Sequence, residues 1–175
     1  MDDPRDLQEP RWLDADEQQC WQAFAYVLTL LPAALETRMH RDAGIRHFEF
    51  VVMSALSMAP QRTLRMSEVA QYTGSTLSRL SNVVSRLEKR EWVRRSTDAT
   101  DGRYTLATLT EQGQEQVSAA TPAHIEEVRR LVFDPLTRGQ QRQLDAAAQC
   151  ILRALNAPCP SDWTLPDGTF PAARK

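Results

Sequence analysis

Arg79, Asn82 and Arg86 are the residues of this chain whose types and spacing could do chemistry together. With Ser75 they fall at i, i+4, i+7 and i+11, along one side of a helix, and Ser78 sits next to that line. A guanidinium can donate two hydrogen bonds to guanine O6 and N7, and a carboxamide can pair with adenine N6 and N7. A helix face carrying both is equipped to read base edges in a major groove. Polar residues on one face are also what any solvated helix shows, so the elements around this one decide its meaning.

The helix that carries them reads as Thr76–Glu91. Leu77, Leu80, Val84 and Leu87 recur at three- and four-residue spacing, with Val83 beside them, and predict one stripe facing a core. A short helix precedes it at Met66–Thr73, with Met66, Val69 and Ala70 apolar. Gly74 ends that helix, because glycine adopts a positive φ at little steric cost. Ser75 or Thr76 then caps the next helix through its side-chain oxygen. Ala70, four residues before Gly74, leaves room for the two helices to cross closely, as a helix-turn-helix requires.

A hairpin follows at Trp92–Leu109. Trp92 and Val93 open its first strand, and Tyr104–Leu109 is rich in strand-favouring residues. Between them, Arg94–Arg103 contains the turn dipeptide Asp101-Gly102, with Arg103 beside the tip. A long cation on such a wing can reach a narrow minor groove, where the potential is most negative. Lys89, Arg90, Arg94 and Arg95 are placed to meet phosphates. Ser75–Arg103 holds seven Lys or Arg against four Asp or Glu, a local net of +3 in a chain of net charge −2. That excess fits an electrostatic footprint for nucleic acid.

The block LRMSEVAQYTGSTLSRLSNVVSRLEKREWVRR, the pattern Asp98-x-x-Asp101-x-Arg103 and the run Leu109-Thr110-Glu111-Gln112-Gly113 resemble the MarR family of bacterial transcription regulators. With the helical flanks, the resemblance covers roughly residues 12–155. It implies a mainly α fold with a small β-hairpin wing: a winged helix-turn-helix DNA-binding domain at 45–109 and a helical dimerisation region from 12–44 and 110–156. It implies a homodimer on a palindromic operator, released when a small molecule binds or a cysteine is oxidised. On that basis Ser75, Thr76, Ser78, Arg79, Asn82, Arg86, Lys89, Arg94, Arg95, Asp101 and Arg103 are the expected DNA-contacting residues. The chain departs from the family at Glu91, where Gly is usual, and at Leu77, where polar residues are common.

The flanks read as long helices. Trp21, Phe24, Leu28, Leu31 and Leu35 form an apolar stripe in a segment of roughly Asp14–Arg41, with Pro32 a candidate kink. Ile45–Met58 reads as a mostly buried second helix. Thr110–Val132 and Thr137–Asn156 read as two more, with Leu144, Ala148, Ile151 and Leu155 on one face of the last. These stripes exceed what one winged lobe can cover, and a second copy of the chain would bury them. The tail, 157–175, has four Pro and one Gly and reads as irregular.

His40, Arg41, His47 and Phe48 gather at the junction of the first two helices, and Trp21 and Tyr26 could add aromatic walls. In the family fold this junction adjoins the space between the dimer region and the DNA lobe, and these side chains suit a small aromatic anion. Cys20, Cys150 and Cys159 lack metal-ligand spacing. Cys20 is expected to pack as a small buried hydrophobe, and its acidic neighbours Asp14, Asp16 and Glu17 disfavour a thiolate. No GxSxG, P-loop, GxGxxG or HExxH occurs, so the sequence points away from an enzyme and implies no cofactor. No apolar run approaches a membrane span, which favours a cytoplasmic protein with reduced thiols. The expected function is a ligand-responsive DNA-binding repressor. The alternatives are a thiol-based redox sensor acting through Cys20 and a winged-helix protein-interaction module with no DNA role.

Overall fold

In the computed structural model the described residues are 10–156, so the tail expected to be irregular, with Cys159, lies outside them. The elements in order are α1 (Ala15–Ala43), α2 (His47–Met58), a 3-10 turn (Pro60–Arg62), β1 (Thr63–Arg65), α3 (Met66–Tyr72), α4 (Leu77–Lys89), β2 (Val93–Thr97), β3 (Thr105–Leu109), α5 (Glu111–Val128) and α6 (Arg138–Ala154). A π-helical turn, Arg129–Phe133, extends α5. The chain divides into two units, one ending at Ala34 and the other beginning at Leu35. No helix among the described residues is long and apolar enough to cross a membrane.

The first unit holds the opening part of α1. Asp14 accepts from the Glu17 backbone N–H at 2.8 Å, and the Glu17 carboxylate accepts from the Asp14 N–H at 3.0 Å, a reciprocal cap that fixes where the helix begins. The helix continues through Pro32. Trp21, Phe24 and Leu28 of the predicted stripe are exposed on it. Cys20 is exposed too, which corrects the expected burial: it lies on the stretch of α1 before Leu35, none of which is buried.

In the second unit the core gathers residues from most of its elements. Met39, Val52, Met53, Leu56, Val69, Leu80, Val84 and Leu87 are all fully excluded from solvent. The predicted stripe on α4 is therefore real from Leu80 onward. Leu77 is not part of it; it is 55% exposed, because the first turn of α4 projects beyond the core that the later turns enter. Gly74 takes φ +58°, as the turn requires, and the Thr76 hydroxyl accepts from the Arg79 N–H at 3.2 Å. Thr76 is thus the cap, while the Ser75 hydroxyl bonds to that of Thr73 at 3.0 Å.

The sheet has three antiparallel strands in the order β1-β3-β2, with Leu64 opposite Ala107 and Arg95 opposite Ala107 from the other side. Strand β1 carries no pattern that announces it. Three residues are too few to show alternation, and the strand exists by its pairing with β3, including a 2.9 Å hydrogen bond between the hydroxyls of Thr63 and Thr108.

The end of α4 explains the departure at Glu91. The Trp92 N–H reaches back to the Leu87 carbonyl at 3.0 Å, and the Glu91 N–H to the Glu88 carbonyl at 2.9 Å. This pair of bonds is a Schellman motif, which puts the residue at Glu91 in the left-handed region. Glu91 adopts φ +61° there. A side chain in that conformation costs about 1 kcal/mol, and glycine does not incur it. Glu91→Gly is therefore expected to raise unfolding stability by about 1 kcal/mol in urea titrations. An unchanged or lower midpoint would mean that the Glu91 side chain offsets the strain.

After β3, the Thr110 hydroxyl accepts from the Gly113 N–H at 3.0 Å and opens α5; Thr137, with Gln140, opens α6 in the same way. Leu144, Ile151 and Leu155 are exposed along α6. The last part of α1 is tied to α5 by charge. Glu127 is buried and bound by Arg130 at 2.6 Å, with Arg38 at 3.7 Å, and the Arg130 guanidinium holds its carboxyl below the usual range. Nearby, the ring of His47 stacks on that of His124 at 5.5 Å, and burial pushes both imidazoles below their ordinary pKa.

Candidate nucleic-acid interface

The exposed surface of α4 is organised by what holds its two edges. On one edge, Arg79 lies over the ring of Phe48, its guanidinium carbon 4.4 Å from the centroid. Arg86 lies on the same edge and donates from Nε to Glu49 at 3.0 Å, with Arg90 at 3.8 Å from the same carboxylate. Glu49 is only 3% exposed and also accepts from the Arg46 N–H, so one buried carboxylate both starts α2 and anchors α4. On the other edge, Arg95 of β2 folds back onto α4. It donates from Nε to Glu88 at 2.8 Å, and reaches the hydroxyls of Ser85 at 3.0 Å and Ser81 at 3.4 Å. Arg95, expected to meet a phosphate, is held by these bonds against α4. Its guanidinium is occupied in fixing the wing to the helix.

Between these edges lie Ser78, Asn82 and Lys89, all exposed. Among the described residues the Asn82 carboxamide has no hydrogen-bond partner, so its donor and acceptor are both free. Ser75, Arg79, Asn82 and Arg86 lie along the side predicted from their spacing, but they and Thr76 differ in readiness. Thr76 and Ser75 are engaged in the turn, Arg79 and Arg86 are held by α2, and Asn82 and Ser78 are open. Arg94 is exposed on β2.

The wing tip is built by two aspartates. Asp98 accepts from the Thr100 N–H at 2.8 Å and the Thr100 hydroxyl at 2.7 Å, and from Arg65 of β1 at 2.9 Å. The Thr100 bonds, with Arg65 adding to them, lower its pKa to about 2. Arg65 also packs over the Tyr104 ring at 4.2 Å, which ties β1 to the base of the wing. Asp101 accepts from Arg103 Nη2 at 2.6 Å and Nε at 2.9 Å. The Arg103 side chain remains 83% exposed, a cation aimed outward by its own neighbour. Sequence reasoning found Asp101 and Arg103 but missed Arg65 and Glu49, whose partners are far along the chain.

A cleft of about 410 Å³ opens beside this surface, lined by Glu36, Arg46, Phe48, Glu49, Arg79, Asn82, Val83 and Arg86. Of the expected ligand residues, Phe48 lines it, while His40, Arg41 and His47 do not. Arg41 is instead paired with Asp42 at 2.8 Å, and His40 is exposed. Trp21 and Tyr26 are exposed on the part of α1 that belongs to the first unit. Among the described residues no group of three or more His, Cys, Asp or Glu could hold a metal ion.

A capped recognition helix, a glycine turn before it and a charged wing after it define a winged helix-turn-helix of the DNA-binding kind. Residues 45–103 match the model of the MarR family. A MarR-family regulator from Streptomyces coelicolor, Sco3205, solved in complex with DNA, is 41% identical, with 91% of this chain and 98% of that one covered and a TM-score of 0.81. AbsC, another MarR-family regulator from Streptomyces coelicolor, is 32% identical over 85% of this chain and all of that one, with a TM-score of 0.78. An uncharacterized HTH-type transcriptional regulator of Bacillus subtilis, YdcH, is 31% identical over 94 residues, which span 53% of this chain and 63% of that relative. This chain belongs to the MarR family of transcriptional regulators.

Proposed function

We propose that the chain is a sequence-specific repressor that binds a palindromic operator as a homodimer in the cytoplasm and lets go when a small aromatic anion binds. The observation that carries the DNA reading is the open face of α4, with Asn82 unpartnered at its centre, beside a wing whose exposed Arg103 is oriented by Asp101. Sco3205, the relative at 41% identity, was solved with DNA, which supports the same partner here. Dimerisation is supported by Trp21, Phe24 and Leu28 on α1 and Leu144, Ile151 and Leu155 on α6, large apolar side chains left exposed in one copy. Residues 12–44 and 110–156 would form the dimerisation region. The anion reading rests on a cleft that joins Arg46 and the aromatic ring of Phe48 to Arg79 and Arg86. A carboxylate held there would take these two arginines away from DNA.

The test begins with sedimentation at micromolar concentration, where a monomer of about 20 kDa would exclude the dimer. Fragments of the source genome retained by the protein are then sequenced with and without a panel of aromatic acids. On the fragment retained best, Arg103→Ala is expected to weaken binding most where the flanks are A·T-rich, and Arg103→Lys to restore part of it. Curves for Arg103→Ala that overlay wild type at physiological salt would take the wing out of the mechanism. The exposure of Cys20 favours a second reading, release by thiol oxidation. Peroxide release by wild type but not by Cys20→Ser, with every acid inert, would select it.

A further inference from the structure

We propose that Leu77 reads the C5-methyl group of a pyrimidine, in unmodified DNA a thymine, at one position of each half-site; this rests on α4 being the recognition helix. The inference starts from where Leu77 departs from the core. Its spacing to Leu80, Val84 and Leu87 puts it on the apolar side of α4. Val84, two turns later on that side, is fully buried, yet Leu77 is 55% exposed. The first turn of the helix leaves the protein, and the apolar side emerges with it.

An isolated exposed leucine is common and asks for no explanation by itself. The position of this one is what gives it a role. It is the first residue of α4, next to the cap Thr76, and the first turn is the part of a recognition helix that meets base edges. It is also the sole large apolar side chain exposed on α4. Ser78, the next residue of the helix, is exposed beside it and supplies a hydrogen-bonding group. The first turn is fixed rather than frayed. The Thr76 hydroxyl holds the Arg79 N–H at 3.2 Å, and the Ser75 N–H reaches the Ala70 carbonyl at 2.9 Å.

Leu77 has no donor or acceptor to offer, so most of what a base edge displays in the major groove gives it nothing. The thymine C5-methyl is the apolar group that groove presents. A leucine docked on it removes apolar surface from water on both partners. A polar side chain at this position would favour a different edge, so the residue type here sets a base preference.

The full chain is first used to select a preferred duplex from a random-sequence pool. Each thymine is then replaced in turn by uracil, which removes the methyl and keeps every hydrogen-bonding group. One thymine per half-site is expected to cost wild type about fourfold in affinity, the transfer free energy of one methyl group. Leu77→Ala, which removes the contact in both half-sites, is expected to bind the thymine duplex about sixteenfold more weakly and to be indifferent to the uracil replacement. Cytosine compared with 5-methylcytosine at that position should favour the methylated base for wild type only. Binding of random duplex, expected to be equal for the two proteins, shows that the variant is folded. If no thymine is sensitive, or if the sensitivity is the same in Leu77→Ala, the inference is wrong while the DNA reading stands. If wild type enriches no sequence from the pool, both fail.

Discussion

Gly113→Ala is expected to destabilise the fold by about 3 kcal/mol, at the upper end of what overpacking costs. A Cβ at Gly113 would lie 2.2 Å from the Trp92 carbonyl oxygen and 2.6 Å from Cδ1 of Leu109. A side-chain methyl can swing away, but the Trp92 oxygen is backbone. That oxygen already accepts from the Thr110 N–H at 3.0 Å and from the Thr110 hydroxyl at 3.1 Å. The start of α5 is thus clamped onto the residue that precedes β2, and an added methyl must push the helix off that residue. Because β2 begins at Val93, the wing would move with it. Gly139→Ala is the matching control. It is a helical glycine whose added Cβ would meet nothing closer than the Thr137 hydroxyl at 3.9 Å, and it should gain about 0.5–1 kcal/mol. Urea midpoints of the two variants on either side of wild type would bear this out. A Gly113→Ala midpoint equal to wild type would show that α5 seats loosely.

What could be read from the sequence was local. Gly74 announces a turn through its own backbone freedom, and Ser75 or Thr76 a cap through a hydroxyl; the turn lies at Gly74 and the cap is Thr76. The fold class followed, because helix, turn, helix and hairpin are short-range patterns in a fixed order. What escaped depends on distant partners. The carboxylate that holds Arg86 is Glu49, 37 positions away. The strand β1 needs a partner 45 positions away. Arg95 was expected to reach outward because a charge beside a basic run suggests phosphate, whereas Glu88, Ser81 and Ser85 turn it inward. Leu77 matched the period of the core, and periodicity does not say where a helix leaves the protein. The histidines were expected around a ligand, but the stack of His47 on His124, a residue with no signal of its own, gives His47 a packing role.

Asn82→Ala is expected to cost about 1–3 kcal/mol on the selected duplex and to leave binding to random duplex unchanged. Asn82, Arg79 and Arg86 are not equivalent in the structure. Asn82 is exposed, central on the face and unpartnered among the described residues, so its carboxamide meets a base with nothing to break. Arg86 must first leave Glu49. That carboxylate is 3% exposed, and with Arg86 gone its nearest cation is Arg90 at 3.8 Å. Leaving such an acceptor short of a partner costs about 1–3 kcal/mol, which would offset much of what a guanine contact contributes. Arg86→Ala should therefore lower folding stability and shift base preference less than Asn82→Ala does. Arg79 falls between them, because moving off the Phe48 ring forfeits a cation–π contact of about 0.5–1 kcal/mol at an exposed site. Measuring all three variants on selected and random duplexes, together with their urea midpoints, separates these effects. Equal losses on both duplexes for Asn82→Ala would place its amide on the phosphates. A change of base preference confined to Arg86→Ala would mean that the pair with Glu49 opens when DNA binds.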